Sequence, residues 1–143
     1  MNQKTENQKK ENEKKKEYLW RYQNAKRKEA EINEEIMQLR IDKMMPSLVQ
    51  DGMPHGSGGG DLSGYAARLD ELMCELYEQM EQCTAIRLEI SRKIEEMQDE
   101  TESLLLRYRY IQGLNFEEIA VKMGYGYRHI TRLHGWALQH FEM

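Results

Sequence analysis

Both prolines of this 143-residue chain and five of its ten glycines fall between Met45 and Asp61. Proline removes a backbone donor and glycine is a poor helix former, so no helix continues through that stretch. Before it, from Lys4 to Lys43, neither residue occurs and good helix formers dominate. The interruption therefore predicts two long helices joined by a loop of about fifteen residues at 45–61. That loop lacks the Gly-Lys-Ser or Gly-Lys-Thr ending of a phosphate-cradling turn, and no apolar strand precedes it. His55 stands there without companion ligands and reads as a loop residue rather than a metal site.

The first helix carries Tyr18, Tyr22, Ala25, Ile32, Ile36 and Leu39 at steps of three, four or seven. The stripe starts near residue 17, so residues 1–16 read as a polar, disordered tail. The Lys14, Lys15, Lys16 run reads more simply as a group that keeps the tail solvated than as a phosphate contact. A second stripe, Leu62, Tyr65, Leu69, Leu72, Leu76, Met80, Cys83, Ile90, Ile94 and Met97, predicts a helix to about Gln98. At about 55 Å such a helix is too long to stand alone in a small domain. The reading is all-α: a long, coiled-coil-like antiparallel helical hairpin over 17–98, then a small three-helix domain. Further apolar positions, Leu19, Met37, Ile41, Met73 and Ile86, exceed what one neighbour can cover, and point to a homo-oligomer, a dimer or tetramer.

Cys74 and Cys83 lie about 13 Å apart along one helix and cannot bridge within it. With no apolar leader and no run of eighteen apolar residues, the expectation is a cytoplasmic protein with no membrane partner.

Residues 99–143 read as three short helices. Asp99 with Glu102, and Asn115 with Glu118, have the spacing of N-cap boxes. The first helix carries Leu104, Leu105, Tyr108 and Ile111 and ends at Gly113. The second runs from Phe116 to Met123, with Ala120 small enough for a close helix crossing. Gly124, Tyr125 and Gly126 form a turn, and the third helix runs from Tyr127 to Phe141 with Ile130, Leu133, Ala137, Leu138 and Phe141 inward. Two helices about such a turn form a helix-turn-helix.

The net charge of −4 is unevenly placed. Residues 51–100 hold 12 acids against 4 bases, whereas no acid occurs between Gly124 and His140. Phosphates respond to that local field, so double-stranded DNA is the expected partner of the last helix. Its exposed N-terminal residues, Tyr127, Arg128, His129, Thr131 and Arg132, are the candidates for base and phosphate contacts, with Arg128 and Arg132 spaced for bidentate bonds. Arg107, Arg109 and Lys122 are candidate backbone contacts. Trp136 reads either as an anchor on the long helices or as a phosphate donor. His134 and His140 read as packing or hydrogen-bonding residues. No metal, cofactor or catalytic constellation is expected, and the chain does not read as an enzyme.

The run Glu117-Glu118-Ile119-Ala120-Val121-Lys122-Met123-Gly124-Tyr125, followed by Arg128, Ile130, Arg132, Leu133, His134, Ala137 and Leu138, resembles the fourth conserved region of bacterial sigma factors, which reads the minus-35 promoter element. Over about residues 17–141 the chain resembles phage and prophage transcriptional regulators of the RinA and ArpU type, which place a long helix, a Pro- and Gly-rich linker like Gly52–Gly59, a second long helix and a sigma-like helix-turn-helix in this order. The resemblance implies control of phage late-gene transcription, with host RNA polymerase as a further partner. Gly126 departs from the Ser or Thr usual at the cap of the reading helix, which removes a hydroxyl able to touch phosphate. Two other readings stand beside this one: a small-terminase-like packaging protein, which would form a closed ring, and a helical scaffold whose terminal domain binds protein.

Overall fold

The structure, a computed structural model, describes residues 2–44 and 59–143, so the expected loop at 45–61 lies outside the described residues as far as Gly59. The protein is all-α, and no strand occurs among the described residues. In order come α1 (Asn2–Met44), α2 (Gly59–Glu95), α3 (Glu100–Leu106) passing into a π-helical turn (Arg107–Ile111), α4 (Phe116–Met123) and α5 (Tyr127–His140). No described helix is long and apolar enough to cross a membrane. The chain divides into two compact units, Ala25–Gln82 and the residues up to Asn24 with Cys83–Met143.

In the unit Ala25–Gln82, Ile32, Ile36, Leu72 and Leu76 form a buried seam flanked by Leu39, Leu69 and Met73. Glu35 pairs with Arg68, the Lys43 ammonium sits 5.5 Å from the Tyr65 ring centre, and Gln79 Nε2 donates to the Ala25 carbonyl at 3.0 Å. Partner numbers rise on one helix as they fall on the other, so the two segments lie antiparallel. Met37 and Ile41 stay exposed, and Met73 is half-buried.

The other unit is built around the three short C-terminal elements and the two helix segments that close over them. Leu19 from α1 and Ile90 and Ile94 from α2 are fully buried with Leu105, Leu106, Tyr110, Ile119, Ile130, Ala137, Leu138 and Phe141. Leu19 is thus a core residue and not a surplus apolar position. Ile86 packs against the same core. The Trp20 ring meets Tyr110 edge-on at 5.0 Å, and Tyr18 lies 6.0 Å from Phe141. Trp136, by contrast, is 48% exposed and does not serve as the anchor; Trp20 does that packing.

Helix α1 begins at Asn2 rather than near residue 17, and Lys15 is buried. Its ammonium donates to the carbonyls of Leu138 and Gln139, at 2.9 and 3.2 Å, at the C-terminal end of α5. Those carbonyls have no acceptor role left inside their own helix, and a cation there also complements the helix dipole. One position of the lysine run is therefore a tertiary cap. Its neighbours remain at the surface, Lys16 pairing with Glu13 at 2.9 Å.

Eight residues on, Gln23 Nε2 donates to the Tyr110 and Ile111 carbonyls at 3.1 Å each, at the end of the π-helical turn. Gly113 follows there with φ +74°, and a Cβ on it would stand 3.0 Å from the Gln23 amide oxygen. Lys15, Leu19 and Gln23 recur every four residues and so share one face of α1.

The junction near Asp99 is packed, not a hinge. Asp99 Oδ1 accepts from the amides of Thr101 and Glu102, and Ser103 Oγ donates to the Ile94 carbonyl at 3.1 Å. Glu102 does not complete a capping box. Its buried carboxylate instead accepts from His140 Nδ1, at 2.8 and 3.0 Å to its two oxygens.

Replacing Lys15 by Met keeps the buried stem and deletes two hydrogen bonds from a charged donor, each worth roughly 1.5–3 kcal/mol. Urea unfolding should show Lys15→Met less stable by about 2 kcal/mol, with Lys14→Met within about 0.5 kcal/mol of wild type as expected for an exposed site. Equal effects at the two positions would contradict the capping role.

Candidate nucleic-acid interface

All the residues expected to contact DNA belong to the unit that contains α3 to α5, but they do not form one surface set. Helix α4 starts at Asn115, whose Oδ1 accepts from the Glu118 amide at 2.8 Å, and it stops at Gly124, in the left-handed region at φ +71°. Tyr125 N bonds back to the Ala120 carbonyl at 3.0 Å, closing the turn. Gly126 then opens α5 in an extended conformation with no side-chain cap, as its missing hydroxyl dictates. Ile119, Ala120, Ile130 and Leu133 are buried in the shared core, which fixes which face of α5 is left outward.

That outward face carries Arg128, His129 and Arg132, all exposed, with Thr131 half-buried. Among the described residues neither Arg128 nor Arg132 has an ion-pair partner. Thr131 Oγ1 donates to the Arg128 carbonyl at 2.8 Å, so its proton is engaged within the helix while its lone pairs remain outward. Tyr127 is half in solvent and leans edge-on against Phe116, and His129 meets Tyr125 edge-on at 4.8 Å. The rings at the start of α5 therefore support one another and hold the first turn in place.

The three residues assigned to backbone contacts behave differently. Arg109 points inward: its guanidinium carbon lies 4.5 Å from the centre of the Phe116 ring and 4.9 Å from that of Trp20, and Nη1 donates to the Leu114 carbonyl at 3.0 Å. It clamps the π-helical turn, α4 and α1 together through cation–π contacts. Arg107 reaches Glu95 at 3.6 Å on the surface. The Lys122 ammonium sits 5.3 Å from the centre of the Tyr108 ring and is otherwise exposed. Lys122 and the α5 residues can meet a phosphate without breaking any internal contact of the core, whereas Arg109 cannot.

Behind the outward face, Tyr110 Oη and His134 Nε2 are 2.8 Å apart in a buried hydrogen bond. Burial, reinforced by the charges of Lys16 and Arg109, pushes His134 down to about 4, so its ring is neutral at physiological pH. Burial likewise raises the Tyr110 hydroxyl above its ordinary value. Both groups are structural, as neither reaches the outward face. His140 also serves packing, through Glu102. No group of three or more His, Cys, Asp or Glu able to hold a metal occurs among the described residues. A cleft of about 570 Å³ opens at the other end of α5, lined by Lys93, Glu96, Asp99, Glu102, Gln139 and His140, and its mostly acidic wall is unsuited to phosphate.

No protein-family model, curated protein or solved structure matches this chain.

Because the folded state holds His134 neutral while an unfolded histidine takes up a proton near pH 6.5, stability is unaffected by this residue above that pH and falls as pH drops from 6.5 towards 4. Between pH 6.5 and 5 the loss from this residue should be about 2 kcal/mol. Urea midpoints at pH 7 and pH 5 should therefore converge in His134→Gln relative to wild type. An unchanged pH dependence in the variant would refute the buried neutral ring.

Proposed function

We propose that the protein is a sequence-specific double-stranded DNA-binding protein, in which α4, the Gly124–Gly126 turn and α5 act as a helix-turn-helix with α5 as the reading helix. The observation that carries this reading is the outward face of α5. Two arginines four residues apart, both without ion-pair partners among the described residues, stand in a stretch from Tyr125 to Gln139 that has no carboxylate. Arginine pairs well with guanine edges and with phosphate, and a desolvated carboxylate nearby would oppose both. Together with the resemblance to sigma-like phage regulators, the role is control of phage late-gene transcription, exerted in the bacterial cytoplasm and through host RNA polymerase.

The long helices form an antiparallel hairpin that gathers several such heads. In the unit Ala25–Gln82, Glu35 and Arg68 each precede a buried position, Ile36 and Leu69, and their ion pair marks one flank. Met37 and Tyr77 each follow a buried position, as Met80 follows buried Gln79, and in an antiparallel pair these fall on the opposite flank. Met37 is 63% and Tyr77 58% exposed, more apolar surface than a two-helix seam leaves open when it works alone. Self-association across that flank supplies a second layer. A dimer or tetramer fits a promoter-bound regulator, whereas a packaging protein requires a closed ring, so the mass of the assembly separates the two.

Changing Arg128 and Arg132 together to Ala should leave helicity and unfolding temperature unchanged. It should weaken binding to a duplex at least about 10-fold and lower the slope of log affinity against log salt by about 2. Fluorescence anisotropy on a labelled duplex reads both quantities. Wild-type protein that forms no complex even at low salt would sink the DNA reading in favour of a protein-only scaffold. Met37→Glu with Met80→Glu should shift the mass in analytical ultracentrifugation to that of one chain; an unmoved mass would place the self-association elsewhere.

A further inference from the structure

Two features of α5 have no explanation within the chain, and they are adjacent. Gly135 lies in the interior of a fourteen-residue helix, where glycine is less favourable than alanine. Its backbone is ordinary helix, and a Cβ built on it would meet nothing within 4 Å, so the fold does not require its absence. Next to it, Trp136 leaves 48% of its surface exposed and makes no ring contact with another described aromatic residue. A large aromatic residue with its N–H in water is common where a partner arrives.

Helical spacing puts Arg128, Arg132, Gly135, Trp136 and Gln139 on one outward arc of α5. We infer that the Gly135–Trp136 turn seats a DNA sugar-phosphate strand. The missing side chain at Gly135 admits a sugar against the helix backbone, the Trp136 indole N–H donates to a phosphate oxygen, and Arg132 one turn earlier neutralises that phosphate. This site rests on the DNA reading of α5 and extends it from the first turns of the helix to the third.

Charge and length favour a nucleic-acid strand as the occupant. The arc is basic and free of carboxylates from Tyr125 to Gln139. Eight residues of helix separate Arg128 from Trp136, about 12 Å along the axis, which matches the width of the major groove. With Arg128 on base edges inside the groove, Trp136 stands at its wall, where the phosphates are.

Gly135→Ala and Trp136→Phe test the site on the full chain, with anisotropy titrations on a mixed-sequence duplex and thermal unfolding. Gly135→Ala should raise the unfolding midpoint by about 3 °C and yet weaken DNA binding about 10-fold. Trp136→Phe keeps the ring and loses only the donor; it should fold like wild type and weaken binding about fivefold whatever the duplex sequence. Wild-type affinity in both variants, with binding still lost in Arg128→Ala/Arg132→Ala, would overturn this site and leave the DNA reading standing. Absence of binding by the wild type would overturn both.

Discussion

The outward face of α5 depends on how firmly its inward face is held, and the decisive hold comes from far away in sequence. On one face of α1, Lys15 caps the last carbonyls of α5, Gln23 caps the end of the π-helical turn, and Leu19 fills the core between them. Helix ends are where backbone acceptors lack partners, and three short helices have many ends for little core. Supplying those partners from a long neighbouring helix lets a small head, with modest burial of its own, keep α5 in one orientation. The Arg109 clamp between Trp20 and Phe116 acts in the same direction, tying α4 to that face of α1.

The local devices of the head were legible in the sequence because they are short-range. Asp99 and Asn115 precede helices at cap spacing, Gly113 and Gly124 take the left-handed conformation, and Ile130, Leu133, Ala137 and Leu138 recur at helical steps. Each depends on residues within four positions. What failed were inferences about distant partners. Lys15 and Gln23 are polar, so a search for apolar periodicity passes over them, although they continue the Leu19 position by four residues each way. The same search started α1 near residue 17, when the burial of Lys15 and the polar pairs Gln8 with Asn12 and Lys16 with Glu13 accompany the helix much earlier. Arg109 looked like any surface arginine, because the two rings that enclose it come from Trp20 and Phe116. Glu102 had the spacing of a capping box, but its partner is His140, thirty-eight positions away.

Of the proposed contact residues, Arg128, His129 and Arg132 owe their outward placement to simple periodicity, so the sequence located them well. The division between internal and external roles among Arg107, Arg109 and Lys122 required the tertiary structure. So did the exposure of Trp136, whose position on α5 is equally compatible with packing until Trp20 is seen to occupy that role.

The central claim is that the outward face of α5 reads a defined DNA sequence. Repeated selection of bound duplexes from a random-sequence pool, carried out at low salt and read by sequencing, tests it most directly. The account predicts progressive enrichment of one short sequence, repeated at a fixed spacing if several heads bind together. Retained duplexes whose sequences stay as random as the starting pool would contradict it.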